Sequence, residues 1–152
     1  MNGGRVATVV LGAGAAAMLL VMVAPAALQR VQDRMDHTAR YPSGAAAKAD
    51  HDGPAPGWLP DSATGVVLLG ADRQGDRLIR ATLPDRALPA GCTSGSPLGG
   101  VHLRARWFPA DAPQRATAHC GLYDVALIGD QLYGWQDAAV VAAGRSAAPV
   151  AR

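Results

Sequence analysis

The longest apolar stretch of the chain lies close to its N-terminus. Residues 6–28 contain no charged side chain, and they lack the polar face that a helix at the surface of a soluble core would show. About 20 apolar residues suffice to cross the hydrocarbon core of a bilayer. The pattern therefore predicts a transmembrane helix at residues 6–28, preceded by a short N-terminal flank at residues 1–5.

The same segment has a second interpretation, as a cleaved signal. Ala24, Pro25 and Ala26 satisfy the small-x-small rule for signal cleavage. Against cleavage, the apolar run exceeds the usual signal core of about 7–15 residues, and Arg5 is the only charged side chain before it. We favour a retained anchor that crosses the membrane once, with cleavage as the alternative.

Residues 29–57 have the opposite composition. They hold several prolines and glycines, and Tyr41 is the only large apolar side chain between residues 38 and 57. Such a stretch buries too little surface to offset the entropy that is lost on ordering it. We therefore expect a juxtamembrane segment at residues 29–37 and a flexible Pro/Gly linker at residues 38–57.

Short apolar runs bounded by turn residues follow from residue 58 onward. Residues 58–137 contain all three tryptophans, both cysteines and the only phenylalanine. Short runs of this kind are typical of buried strands, and Gly129 followed by Asp130 suits a two-residue hairpin turn. Four strands in two antiparallel hairpins are predicted: residues 66–69 with 77–83, and residues 122–128 with 131–135.

Residues 101–108 alternate between two sets of side chains, which is the pattern of a half-buried strand. One face would carry Val101, Leu103, Ala105 and Trp107, and the other His102, Arg104, Arg106 and Phe108. We expect Trp107 in the core and the cationic row of His102, Arg104 and Arg106 at the surface. This row is a candidate contact for an anionic partner. The alternative is a solvated strand face paired with aspartates of a neighbouring strand.

The sequence thus predicts an N-terminal transmembrane helix and a small, mostly-β antiparallel domain at residues 58–137, with an α+β arrangement as the variant. An Ala-rich flexible tail is expected at residues 138–152, where residues 137–144 can form a brief helix. A domain of about 80 residues is only marginally stabilised by its core. A covalent cross-link would therefore matter to its stability.

Cys92 and Cys120 are the candidate cross-link. Two cysteines in a small exported domain most often form one disulfide. The bond would close a loop of about 29 residues, which the chain-entropy treatment values at roughly 3–4 kcal/mol. No Cys-x-x-Cys motif is present, so thioredoxin-type redox chemistry is not indicated. We predict a structural disulfide between Cys92 and Cys120.

Two signals disagree about the side of the membrane. Arg5 precedes the predicted helix whereas Arg30, Arg34 and Arg40 follow it, and the positive-inside rule then places the domain in the cytoplasm. A persistent disulfide, in contrast, requires an oxidising compartment. We give the cysteines more weight and predict an extracytoplasmic domain on the cell membrane, or a secreted protein if the N-terminal segment is cleaved.

The net charge and the absence of known motifs argue against several classes of function. With 14 basic and 12 acidic residues, a net charge of +2 is too even for a nucleic-acid clamp. Ser94, His102 and Asp124 can be combined into a catalytic trio, but no nucleophile motif surrounds Ser94.

The Asp-His-Asp run at residues 50–52 contains residue types that bind metals, but it lies in the expected linker, where no coordination geometry is preset. We predict no catalytic residue, no metal and no cofactor, and enzyme activity stays an open but less favoured alternative.

The outline of the chain resembles a group of bacterial proteins. A charge-poor anchor, a Pro/Gly linker and the sequence Trp58-Leu59-Pro60-Asp61 opening a small two-cysteine β domain are similar to uncharacterised small exported or membrane-anchored proteins of high-GC Gram-positive bacteria. The likeness covers residues 1–137 and implies a location, not an activity. We expect a membrane-tethered interaction module for a protein or cell-envelope partner. The alternatives are a membrane accessory subunit that acts through its helix, and a small cell-envelope enzyme.

Overall fold

The structure is a computed structural model that describes residues 36–53, 55–71 and 75–147. Its strands are β1 (Asp36–Ser43), β2 (Thr64–Ala71), β3 (Arg77–Thr82), β4 (Cys92–Ser94), β5 (Ala118–Cys120), β6 (Tyr123–Ile128) and β7 (Gln131–Gln136). Its helices are α1 (Gly44–Ala49), α2 (Ala138–Ala147) and a 3-10 turn at Pro113–Arg115. The strands form one antiparallel sheet in the order β1-β2-β3-β7-β6-β5-β4. The predicted small antiparallel β domain is therefore confirmed.

The predicted transmembrane helix at residues 6–28 lies outside the described residues, as do the flank at residues 1–5 and the last residues of the chain, 148–152. Among the residues that the structure describes, no helix has both the length and the apolar character needed to cross a membrane. The anchor and its cleaved alternative both stay predictions.

The expected linker at residues 38–57 is wrong for much of its length, because the chain there is folded. β1 pairs antiparallel with β2, with Thr38 opposite Leu69 and Arg40 opposite Val67. Backbone hydrogen bonds to β2 stabilise this strand although it has few large side chains of its own. The prediction of a linker considered only the apolar surface of the side chains, so it missed a strand that is stabilised by backbone hydrogen bonds to its neighbour. The folded domain therefore includes β1 and does not begin at residue 58.

α1 packs against the turn that precedes β2. The Gly44 backbone amide donates a hydrogen bond to the Ala63 carbonyl oxygen at 2.8 Å. A Cβ at position 44 would collide with the Pro60 carbonyl group, so this close approach requires glycine. The approach places Ala47 in the core, where it is fully buried. A second part of the expected linker is thus an integral element of the fold.

Both predicted hairpins are present. β2 pairs with β3, and β6 pairs with β7. At the turn of the second hairpin Gly129 has a φ of +67°, whereas Asp130 has no positive φ, which is the combination that a type II′ turn requires. β3 also pairs with β7, so that the two hairpins join into one sheet.

The sheet buries apolar side chains on both faces. The first face carries the larger core, which is covered by α1 and residues 55–63 and includes Leu59, Val66, Leu68, Ile79, Leu83, Val125 and Leu132. The second face is smaller, and Leu69, Leu78 and Trp135 form its centre together with Ala112. Partly buried side chains of the loop between β4 and β5 pack against this second face.

Residues 101–108 are not the predicted strand. They pair with none of the described strands and instead cross the second face as part of the β4–β5 loop. The predicted alternation nevertheless appears in the burial: Val101, Leu103 and Ala105 are half-buried, and His102, Arg104 and Arg106 are exposed. Trp107 is half-buried rather than in the core, and Phe108 packs on the same cluster as Trp107. The alternation arises because one side of the segment is covered by the sheet face, and it does not require a pairing partner.

The expected flexible tail is wrong for its first part. The segment after β7 forms α2, so the predicted brief helix at residues 137–144 is present and extends to Ala147. Val141 is 8% exposed and packs the helix onto the domain, while the alanines favour the helical backbone. α2 thus belongs to the folded domain.

The predicted disulfide is confirmed. Cys92 and Cys120 are bonded, and they lie directly opposite each other on β4 and β5. Cys120 is fully buried in the larger core. β4 has only three residues, so the bond holds a short edge strand that its own ladder would hold weakly.

We expect that the Cys120→Ser variant lowers the free energy of unfolding by about 2–5 kcal/mol, because the unfolded chain regains the entropy of the opened loop. Chemical denaturation of the full chain measures this loss. Reduction of the wild-type disulfide should give a similar loss, which separates the cross-link from packing at position 120. The exposed Ser96→Ala change inside the same loop is the control and should have little effect. Two alkylatable thiols in protein trapped directly from cells would contradict the prediction.

Candidate functional site

The β4–β5 loop covers the second face and forms the candidate site. Aromatic contacts hold its far end. The Phe108 ring lies 5.8 Å from the Tyr133 ring and 6.2 Å from the Trp135 ring, measured between centroids, in edge-to-face geometry. The Arg80 guanidinium lies 5.8 Å from the centroid of the Trp107 ring, close enough for a cation–π contact. The loop is therefore seated on side chains of β3 and β7.

Asp124 on β6 holds the near end of the loop. Its side chain is almost completely buried, and its two carboxylate oxygens accept hydrogen bonds from the Leu98 amide at 2.7 Å and the Gly99 amide at 2.9 Å. The Trp135 indole N–H donates to the Gly99 carbonyl oxygen at 3.2 Å. A buried carboxylate requires such donors to replace its lost water. Asp124 thus fixes the point at which the loop enters the second face.

Asp137 ties the next residues of the loop to α2. One of its carboxylate oxygens accepts a hydrogen bond from the Gly100 amide at 2.9 Å and lies 3.1 Å from His102 Nε2. The other accepts from the Ala139 amide at 2.8 Å, in the first turn of α2. The hydrogen bond from Gly100 is the main cause that lowers the pKa of Asp137, with contributions from Ala139 and His102, while burial opposes the shift.

Asp76, His102 and Asp137 form a cluster at the start of α2. Their potential metal-ligand atoms all lie within 4.8 Å of one another. Asp76 is 6% exposed and accepts a hydrogen bond from the Ala138 amide at 2.8 Å. Both carboxylates therefore cap the helix, and His102 lies within hydrogen-bond distance of one of them. These contacts account for the cluster as a clamp between the loop, β3 and α2, and we do not assign a metal to it.

Ser94, His102 and Asp124, the candidate catalytic trio, do not contact one another. Asp124 bonds to the loop amides, His102 bonds to Asp137, and Ser94 is exposed at the end of β4. The Asp-His-Asp run at residues 50–52 follows α1, where the Asp50 carboxylate accepts a hydrogen bond from the Tyr41 hydroxyl at 2.6 Å. This bond is the main cause that lowers the pKa of Asp50 and raises that of Tyr41. The carboxylates of Asp50, Asp124 and Asp137 are thus each engaged by a neighbouring group.

A groove of about 420 Å³ runs beside the loop. Its lining is mostly apolar, with one charged side chain, and consists of Val101, Leu103, Arg104, Ala105, Phe108, Pro109, Ala110 and Pro113. Cavities of this size fall within the range of ligand sites, which usually combine apolar walls with a few polar groups. The groove is the part of the site that the sequence did not reveal, because it arises from the path of the loop over the sheet.

The predicted cationic row of His102, Arg104 and Arg106 is exposed, but it lies on a loop and not on a strand. His102 is engaged by Asp137. Arg104 and Arg106 are exposed, and neither makes an ion pair or hydrogen bond with any described residue. Arg104 also lines the groove. The arrangement therefore presents two unengaged guanidinium groups beside an apolar groove.

Comparisons with known proteins add no assignment, since no protein-family model, curated protein or solved structure matches this chain.

The lowered pKa of Asp137 predicts an acid-dependent contribution to stability. A carboxyl group whose pKa is lower in the folded protein stabilises the fold above its unfolded pKa of about 3.9, and this stabilisation disappears as the pH falls through the folded value. Asp137→Asn should therefore be less stable than the wild type at pH 7, and the difference in unfolding free energy should shrink as the pH falls below about 4. The exposed Asp52→Asn change is the control. A difference that is constant from neutral to acid pH would rule out this contribution.

Proposed function

We propose that this protein is a membrane-tethered interaction module whose folded domain lies outside the cytoplasm. The helix predicted at residues 6–28 would anchor it, and the β4–β5 loop would bind a protein or cell-envelope partner. If the N-terminal segment is cleaved, the same domain acts as a secreted module.

The observation that carries the binding proposal is the pairing of an apolar groove with unengaged arginines. Arg104 and Arg106 have no counter-ion among the described residues, and Arg104 borders the groove directly. A partner that supplies anionic groups would gain charge-assisted hydrogen bonds there and bury apolar surface at the same time. Asp124 and Asp137 are engaged in holding the loop, which supports a preformed surface.

The disulfide supports the extracytoplasmic location. The reducing cytoplasm keeps structural thiols unpaired in most organisms, whereas exported small domains depend on disulfides. The bond between Cys92 and Cys120 closes the loop that carries the candidate site. The arginines that follow the predicted anchor, Arg30, Arg34 and Arg40, favour the opposite orientation, and the disulfide outweighs them in this proposal.

Labelling of single introduced cysteines in intact cells tests the location. A membrane-impermeant maleimide should label Ser62→Cys, which lies in an exposed turn of the domain, without permeabilisation. The matched variant Asn2→Cys, in the N-terminal flank, should be labelled only after permeabilisation. The native cysteines are bonded to each other and do not compete. The reverse labelling pattern would overturn the proposed location, and a mature N-terminus at Ala27 would replace the anchor by a cleaved signal.

A photoreactive residue at position 106 tests the interaction in the same cells. We expect one discrete cross-linked species from position 106 and none from position 145, where Arg145 is also exposed, on α2. Cross-linking that is equal at both positions would show random collision and contradict a binding role for the β4–β5 loop.

A further inference from the structure

Residues 101–105 cross the second face and pair with none of the described strands. The chain makes no turn, bend or helix there. The backbone N–H and C=O groups of residues 101–104 form no hydrogen bond with any described residue. Unpaired backbone groups of this kind are the property of a sheet edge, where another strand can add.

Side-chain placement in this segment is also that of a strand. Val101, Leu103 and Ala105 are half-buried against the second face, whereas His102 and Arg104 are exposed. A strand rises about 3.3 Å per residue, so five such residues offer an edge of roughly 15 Å. The groove of about 420 Å³ lies alongside this edge and leaves room for another chain.

We propose that residues 101–105 receive an extended, acidic peptide segment of a partner protein, which lies in the groove and pairs with them as an added strand. This inference rests on the proposed function and names the partner class of the same site. Backbone hydrogen bonds would supply most of the affinity, and apolar side chains of the peptide would enter the groove.

The positive charge beside residues 101–105 indicates which kind of peptide would bind there. Arg104 and Arg106 stand two residues apart on the exposed side and have no counter-ion among the described residues. Arg104 belongs to the extended segment, so a carboxylate of an added strand would lie opposite it, as opposite charges do in cross-strand pairs. Arg106 begins the turn that follows Ala105, where a further carboxylate just beyond the paired residues would reach it. A second copy of the same segment would instead place arginine against arginine or histidine, which is unfavourable. The charge pattern therefore favours an acidic partner over self-association.

The outer edge of β1 is the competing place for an added strand, because β1 is the longer of the two edge strands of the described sheet, β1 and β4. Pro42 interrupts its row of N–H donors, since proline has none. β1 also contributes no residue to the lining of the groove. Arg40, exposed on β1, serves as the position that would report binding at this edge.

The test uses the full chain in detergent and a blocked synthetic peptide that alternates glutamate with valine. Hydrogen exchange followed by mass spectrometry should show slowed exchange at residues 101–105 when the peptide is present. Two control peptides carry lysine in place of glutamate, or N-methyl groups on the amides that would pair. Neither should bind the wild-type protein.

Charge reversal then locates the contact. The double change Arg104→Glu with Arg106→Glu should weaken binding of the glutamate peptide about tenfold or more, since the attractive contacts of both side chains with the peptide become repulsive. The same variant should gain affinity for the lysine peptide, which a merely misfolded variant would not do. Arg145→Glu, on exposed α2, and Arg40→Glu should leave the affinity unchanged.

Four results would overturn the inference. The first is that the glutamate peptide does not bind, and the second is that its N-methylated form binds with unchanged affinity. The third is that the peptide slows exchange at β1 and that its binding depends on Arg40. The fourth is that phosphatidylglycerol vesicles bind in a way that depends on Arg104 while the peptide does not bind. The last result would assign the surface to a lipid. Any of them leaves the labelling result for the extracytoplasmic location intact, so failure of the peptide proposal is distinguishable from failure of the proposed function.

Discussion

The pairing of β3 with β7 joins the two halves of the described sheet. On one side lie β1 and β2, and on the other lie β6, β5 and β4. The ladder runs from Arg77 opposite Gln136 to Thr82 opposite Gln131. Gly134 keeps the strands close, because a Cβ there would lie 2.7 Å from the Ile79 Cγ2 atom. β3 and β7 contribute to both cores, so loss of this one pairing would remove the support of the first face and of the candidate site together.

Carboxylates, rather than strand pairing, order the loop on the second face. Asp124 and Asp137 accept hydrogen bonds from the consecutive backbone amides of residues 98–100. Phe108 holds the loop again on the aromatic side chains of β7. At residues 101–104, between these two attachments, the backbone makes no hydrogen bond with other described residues. The loop is thus fixed at both ends, and its middle offers backbone donors and acceptors that no described residue uses, which is the physical basis of the binding proposal.

The sequence predicted the elements whose signal is local. Apolar runs with a Gly-Asp turn revealed both hairpins, and the cysteine pair revealed the disulfide. It failed where order comes from distant backbone: β1 is stabilised by β2, and α1 needs Gly44 to approach a turn far along the chain. In the candidate site, the alternation at residues 101–106 identified the exposed cations correctly. The groove and the carboxylate anchors depend on how the loop crosses the sheet, which no periodicity encodes.

The position of the disulfide has a consequence for the fate of the protein in a protease-rich environment. Cys92 and Cys120 are 28 residues apart in sequence, and the entire groove-forming loop lies between them. One cut of the backbone inside this covalent ring leaves two fragments that the sulfur–sulfur bond still joins. The sheet would keep all its strands, and the nicked molecule would separate into pieces only on reduction. A cut in this loop would thereby be uncoupled from loss of the domain itself.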